Sequence, residues 1–256
     1  MLVLAFFLTR GLDPPTPNPP GGFSVAVMGD APYSWGEEIR FRLVLEDLDA
    51  HDLTSVISIG DIFWRPCSDE MYRRTREQFT GLRHPVVYTP GDNEWFDCWE
   101  PASGGFMPQE RLARLREIFF TPPTQSLGGR RIALASQPEF VENVRWTDNG
   151  VVFATVHLIG SANGMRRFPA RTAVDDAAVR RRTEAAAAWT RETFSEAKAS
   201  NASAVVIALH GNPFDDEAKD REPFQPFLVT LQQEVEFLNG YLEIERIRFQ
   251  DRLTTN

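Results

Sequence analysis

Val25-Ala26-Val27-Met28-Gly29-Asp30, Val56-Ile57-Ser58-Ile59-Gly60-Asp61 and Val87-Tyr88-Thr89-Pro90-Gly91-Asp92 decide the fold. Each is a short apolar run, strand-like in composition, that closes on Gly-Asp. The three aspartates are spaced 31 residues apart, about the length of one strand with its crossover helix. Glu37 to Asp49 carries Ile39, Leu43, Leu45 and Leu48 at helical spacing, and Asp69 to Leu82 reads as a polar helix. Strand, helix, strand, helix at this interval predicts a parallel sheet with crossover helices, an α/β fold.

Working outward, Pro108 to Phe120 reads as a helix with proline in its first turn. Phe140 to Trp146 and Val151 to His157 are β-type runs joined by Thr147-Asp148-Asn149-Gly150, a hairpin signal that adds antiparallel strands. Asp175 to Lys198 is a long helix, Ala204 to Leu209 a buried-type strand, and Phe224 to Phe237 a helix; Tyr241 to Phe249 fits no single element. Residues 9 to 22 are rich in Pro and Gly and read as a linker, so residues 1–22 form a leader and the folded domain begins at Phe23.

Ligands of open parallel sheets gather at the carboxyl ends of the strands. Three carboxylates converging there would repel one another and raise each other's pKa, a conflict that a divalent cation removes. One Gly-Asp alone is usually a plain turn; three at successive strand ends point to a metal site, with each glycine expected to allow the sharp turn. His210 closes the strand Val205 to Leu209, and its imidazole beside carboxylates suits Mn, Fe or Zn better than Ca or Mg.

Composition sets bounds. The 256 residues suffice for one sizeable core, and 42% hydrophobic with 25% charged residues is a soluble globular balance. A net charge of −9 lacks the basic footprint of nucleic-acid binding. Arg180, Arg181 and Arg182 are expected on a solvated helix face. No run is long enough to span a bilayer; Leu2 to Leu8 reads either as a clipped signal peptide or as a wrongly called start. Cys67 and Cys98 each follow a ligand aspartate by six residues. On neighbouring loops they would meet as a disulfide, which favours a periplasmic or secreted location; the alternative is two free thiols in the cytoplasm. Dinucleotide-binding and α/β-hydrolase motifs are absent from the sequence.

The order of these motifs resembles the calcineurin-like metallophosphoesterases, whose pattern is D-x-H, G-D-x, G-N-H-(D/E), a strand-end His and G-H-x-H. The likeness covers residues 23 to 214, and the stretches Gly29 to Ser34 and Tyr88 to Trp95, with Asp97-Cys98, resemble an uncharacterised bacterial branch. It implies a β-sandwich of two mixed sheets flanked by helices, four layers in all. It also implies two divalent metal ions that hydrolyse a phosphate mono- or diester by a metal-bound hydroxide. By position, Asp30 holds the first metal, Asp61 bridges, Asp92 replaces an asparagine ligand, and His210 binds the second metal. Asn93 stands where the family has a phosphate-polarising histidine, and Glu94 where an acid orients it. Tyr33 is placed to reach the site. His157, at the end of its strand, is either a substrate contact or a histidine packed under the loop Gly160 to Gly164.

The chain departs from the pattern twice. Ala31-Pro32 replaces the D-x-H histidine, and no histidine follows His210, so G-H-x-H is missing. The alternative expectation is therefore a diverged or truncated relative that keeps the fold without a complete two-metal site.

Overall fold

A computed structural model describes residues 22–214 and 217–236. The tail beyond 236, including Tyr241 to Phe249, and most of the leader lie outside the described residues. The fold is mixed α/β with two sheets, one of three strands and one of four.

The first sheet joins β1 (Val25–Met28), β2 (Ser55–Ser58) and β3 (Val86–Tyr88), all parallel and in chain order. Helix α1 (Trp35–Ala50) links β1 to β2, and α2 (Asp69–Gly81) links β2 to β3. Each helix starts on a serine, Ser34 or Ser68, whose hydroxyl accepts a first-turn N–H, with two acidic residues beside the positive end of the helix. The second sheet runs β4 (Ala135–Ser136), β5 (Val144–Asp148), β6 (Val151–Thr155) and β7 (Ala204–Ala208). The β5–β6 pair is the expected hairpin, turning on Asn149 and Gly150, both at positive φ. β6 and β7 are parallel, and the long helix Ala173–Ala199 crosses between them. A capping box of Thr172 and Asp175 starts that helix.

Strand alternation sorts side chains into separate cores. Val56, Val86 and Tyr88 pack with Phe41, Tyr72, Phe79 and Leu115 from the helices. Ile57 and Val87, from the opposite strand positions, share a core with Trp146, Phe153 and Val206 of the second sheet. Ile207 and Val156 pack instead on Trp189 and Phe194 of the long helix and on Phe227.

Two expectations are corrected. In α1, Ile39 and Leu43 are exposed, and the buried face is Phe41, Leu45 and the partly buried Leu48. The bulky aromatic at 41 takes the core, and its i+4 and i+7 neighbours follow it. Arg180 and Arg181 are exposed as expected, but Arg182 is buried, with its guanidinium over the Trp95 ring.

Cys67 and Cys98 form a disulfide that closes a separation of 31 residues. It joins the loop after Asp61 to the loop after Asp92, and both cysteines are buried. Restricting the unfolded chain over such a loop stabilises by roughly 3–4 kcal/mol. The Cys67→Ser/Cys98→Ser double variant should lose about that much in urea unfolding, and added reductant should then change nothing further; an unaltered midpoint would show that the bond does not stabilise the fold.

Candidate metal centre

The Gly-Asp corners build the site, though the glycines act differently from expectation. The left-handed residues at the first two corners include the aspartates themselves, Asp30 at φ 55° and Asp61 at φ 53°, a conformation that aspartate tolerates better than most residues. Of the three glycines, Gly60 has positive φ, at 96°, and it also lies so close to Gly91 that a Cβ would sit 2.1 Å from the Gly91 nitrogen. At Gly91 a Cβ would fall 2.2 Å from Asp61 Oδ1. These glycines let neighbouring strand ends approach and make room for the carboxylate.

Asp30, Asp61 and His210 each present a ligand atom, and these atoms lie within 4.8 Å of one another. The Tyr33 hydroxyl lies 2.6 Å from Asp61 Oδ2 and 3.0 Å from Asp30 Oδ1. It has one proton for two acceptors. Burial and these two carboxylates push the phenol far above its ordinary value. His210 Nδ1 lies 2.9 Å from the Ile59 carbonyl, which can only accept, so the Nδ1 proton is committed there. Nε2 is thereby aimed at Asp92 Oδ1 at 3.0 Å and Asp61 Oδ1 at 3.6 Å. Burial opposes charge on His210, but its hydrogen bond to Asp92 and the charge of Asp61 outweigh this and raise its pKa to about 10.

The site holds more negative charge than its surroundings neutralise. Burial pushes up Asp61, and Asp92 adds to the rise while His210 opposes it. Burial and then Asp92 raise Asp97 to about 7. Asp92 itself is also penalised by burial, yet its bond to His210 and that ring's charge, with the Ser161 hydroxyl, hold it below the usual range. Carboxylates stacked in this way, with an imidazole nitrogen oriented by a backbone carbonyl, form a donor set that fits a divalent cation. The three ligand atoms are those of Asp30, Asp61 and His210; Asp92 contacts His210 and Ser161 beside them.

Glu94 is fully buried and touches none of the donors through its own side chain. Its carboxylate accepts the N–H of Asp61 at 3.0 and 3.2 Å, the N–H of Gly91 at 2.8 Å and the hydroxyl of Tyr88 at 2.7 Å. It pins the β2 and β3 corners together, and burial followed by the nearby Asp61 charge lifts its pKa to about 8. Asn93 donates its backbone N–H to Asp61 Oδ1 at 3.1 Å, and its half-buried side-chain amide makes no hydrogen bond among the described residues. His157 is found packed rather than facing the donors: it is fully buried, with its ring against Trp95 and Nδ1 2.7 Å from Glu142. Arg116 also grips Glu142, donating from Nε at 2.9 Å.

Sequence reading missed Ser161, whose Oγ donates to Asp92 Oδ2 at 2.7 Å. Ser161, Ala162 and Asn163 form a left-handed turn, each at φ 52–53°, costing about 1–2 kcal/mol per residue. Asn163 holds it, bonding Ile159 N–H, Thr183 Oγ1 and the Pro223 carbonyl and receiving the Arg182 guanidinium. The available signal is the loop of small polar residues after β6, Gly160 to Gly164.

Among the described residues no helix is long and apolar enough to cross a membrane. A comparison with known families finds no family that matches the chain, and no curated protein matches it.

Two outcomes are expected. Glu94→Ala strands three buried donors, each worth about 1–3 kcal/mol, so urea unfolding should show a loss of at least roughly 3 kcal/mol; full retention would remove Glu94 from this role. The second concerns acid. Burial depresses His157 from 6.5 to about 4, against the pull of Glu142. Glu142 is opposed by burial but held at about 2 by His157 and Arg116. The unfolded chain binds the extra protons in both cases, so stability is present above pH 6.5 and falls as pH drops through 4 towards 2. For His157 alone this is on the order of 3 kcal/mol, measurable as a falling urea midpoint between pH 7 and pH 4 that His157→Gln flattens.

Proposed function

We propose that this chain is a metal-dependent phosphoesterase of the calcineurin-like kind, acting on a phosphate mono- or diester. The observation that carries the reading is the convergence of Asp30, Asp61 and His210 from three strand ends onto one point. Asp30, Asp61 and the Nε2 of His210 would hold the ion, with Asp92 alongside and a second ion as the family implies. A bound divalent ion supplies Lewis acidity towards a phosphoryl oxygen and lowers the pKa of water that reaches it.

The remaining work falls to the chain's own side chains. Ile59, through its carbonyl, keeps His210 in the tautomer that frees Nε2. Ser161 orients Asp92, and Glu94 keeps the Asp61 and Asp92 corners in register. Asn93 can donate a hydrogen bond to a phosphate oxygen but cannot transfer a proton. The family's four-layer stack belongs to this proposal, and the core that draws on Ile57 and Val87 from one sheet and Trp146 and Phe153 from the other supports it. A periplasmic or secreted site of action accords with the buried disulfide.

Asn93 in place of a proton-transferring histidine, and Ala31-Pro32 in place of the D-x-H histidine, favour a second reading: a relative that binds at most one ion and does not turn over. Both readings meet the same measurements. Full-length protein loaded with Mn²⁺ should hydrolyse p-nitrophenyl phosphate or its bis ester, and Asp61→Ala should reduce the rate to background. Equal rates in the two proteins would overturn the assignment. Elemental analysis showing two tightly held ions per chain would dismiss the second reading, whereas one or none together with no turnover would establish it.

A further inference from the structure

A cleft of about 210 Å³ opens beside the ligand corners. Pro32 follows Asp30 by two residues and Ile62 follows Asp61 directly, so the cleft shares its wall with both loops. Its rim carries two indoles that belong to none of the cores, Trp35 at 76% and Trp64 at 45% exposure. Arg65 lies over Trp64, its Cζ 4.9 Å from the ring centroid. Among the described residues its guanidinium makes no hydrogen bond or ion pair, and the half-buried Gln78, which lines the cleft from α2, makes no side-chain hydrogen bond, whereas Thr75 beside it is buried. Glu38 and Arg74 pair across the lining and cancel each other's charge.

Exposed indoles, a stacked cation with open donors and a neutral amide beside them are the components of a site for a flat ring with polar edges. Drug-sized ligands occupy about 300–1,000 Å³, so this volume suits a single ring system. A bare phenyl ring offers no hydrogen bond to the Gln78 amide or the Arg65 guanidinium; a nucleobase offers donors and acceptors to the first and acceptors to the second. We propose that the cleft seats a nucleobase, making the ester a nucleotide whose phosphate faces Asp30, Asp61 and His210. Only the phosphate end of this inference rests on the phosphoesterase reading.

The ring site can be tested without chemistry. Adenosine and uridine, titrated into the metal-free full chain with EDTA present, should quench tryptophan fluorescence saturably, and phenol should bind more weakly. Trp64→Ala should weaken nucleoside binding about tenfold or more, as loss of base stacking does, and Arg65→Ala should weaken it too. Trp64 lies outside the cores, so an unchanged circular dichroism spectrum is expected to accompany the loss. With Mn²⁺ bound, Trp64→Ala should lower the ratio of kcat/KM for nucleoside monophosphate over glycerol phosphate by about tenfold or more. Absence of saturable nucleoside binding, or binding and a ratio indifferent to Trp64→Ala, would overturn the proposal. Nucleoside binding without turnover of any ester would uphold the ring site and refute the phosphoesterase reading; turnover of glycerol phosphate without nucleoside binding would do the reverse.

Discussion

The Glu94 carboxylate spans the gap between two strand ends, taking the N–H of Asp61 on one side and the N–H of Gly91 on the other, with the Tyr88 hydroxyl beneath. Backbone donors at a strand end have no ladder partner of their own, and burial makes an unpaired donor costly. A single buried acid meets that need at both corners at once. Its own carbonyl accepts the buried Tyr72 hydroxyl, which ties the same segment to α2. The position of Asp61, and so of the donor cluster, depends on this clamp. The disulfide joins the two loops that follow Asp61 and Asp92.

The price of gathering acids is visible in their titration. Burial and mutual repulsion lift Asp61, Glu94 and Asp97, while His210 and Ser161 hold Asp92 down. The fold supports this arrangement with strain placed elsewhere. The left-handed turn at Ser161 to Asn163 brings Ser161 onto Asp92, and Gly160 lies where a Cβ would approach Asp92 Oδ1 to 2.6 Å. Arg182, buried under Trp95, holds the turn through Asn163. The Arg116–Glu142–His157 chain fills the interior nearby, with the His157 ring against Trp95.

Much of this is legible in the sequence. Short apolar runs ending in Gly-Asp located β1 to β3, Asn149-Gly150 located the hairpin, and the spacing of Cys67 and Cys98 foreshadowed their bond. These are local signals, carried by a few adjacent residues or a repeat interval. Periodicity failed in α1, where two faces carry apolar residues and only packing selects Phe41 over Ile39 and Leu43.

The sequence by itself determined the element types, the three acidic corners and the terminal histidine, because those depend on residue chemistry and short-range backbone preference. Tertiary structure alone decided that Glu94 clamps backbone, that Ser161 meets Asp92 across 69 residues of chain and that Arg182 turns inward. Those contacts join segments distant in sequence, and no local pattern encodes which buried donor meets which buried acceptor until the strand ends come together.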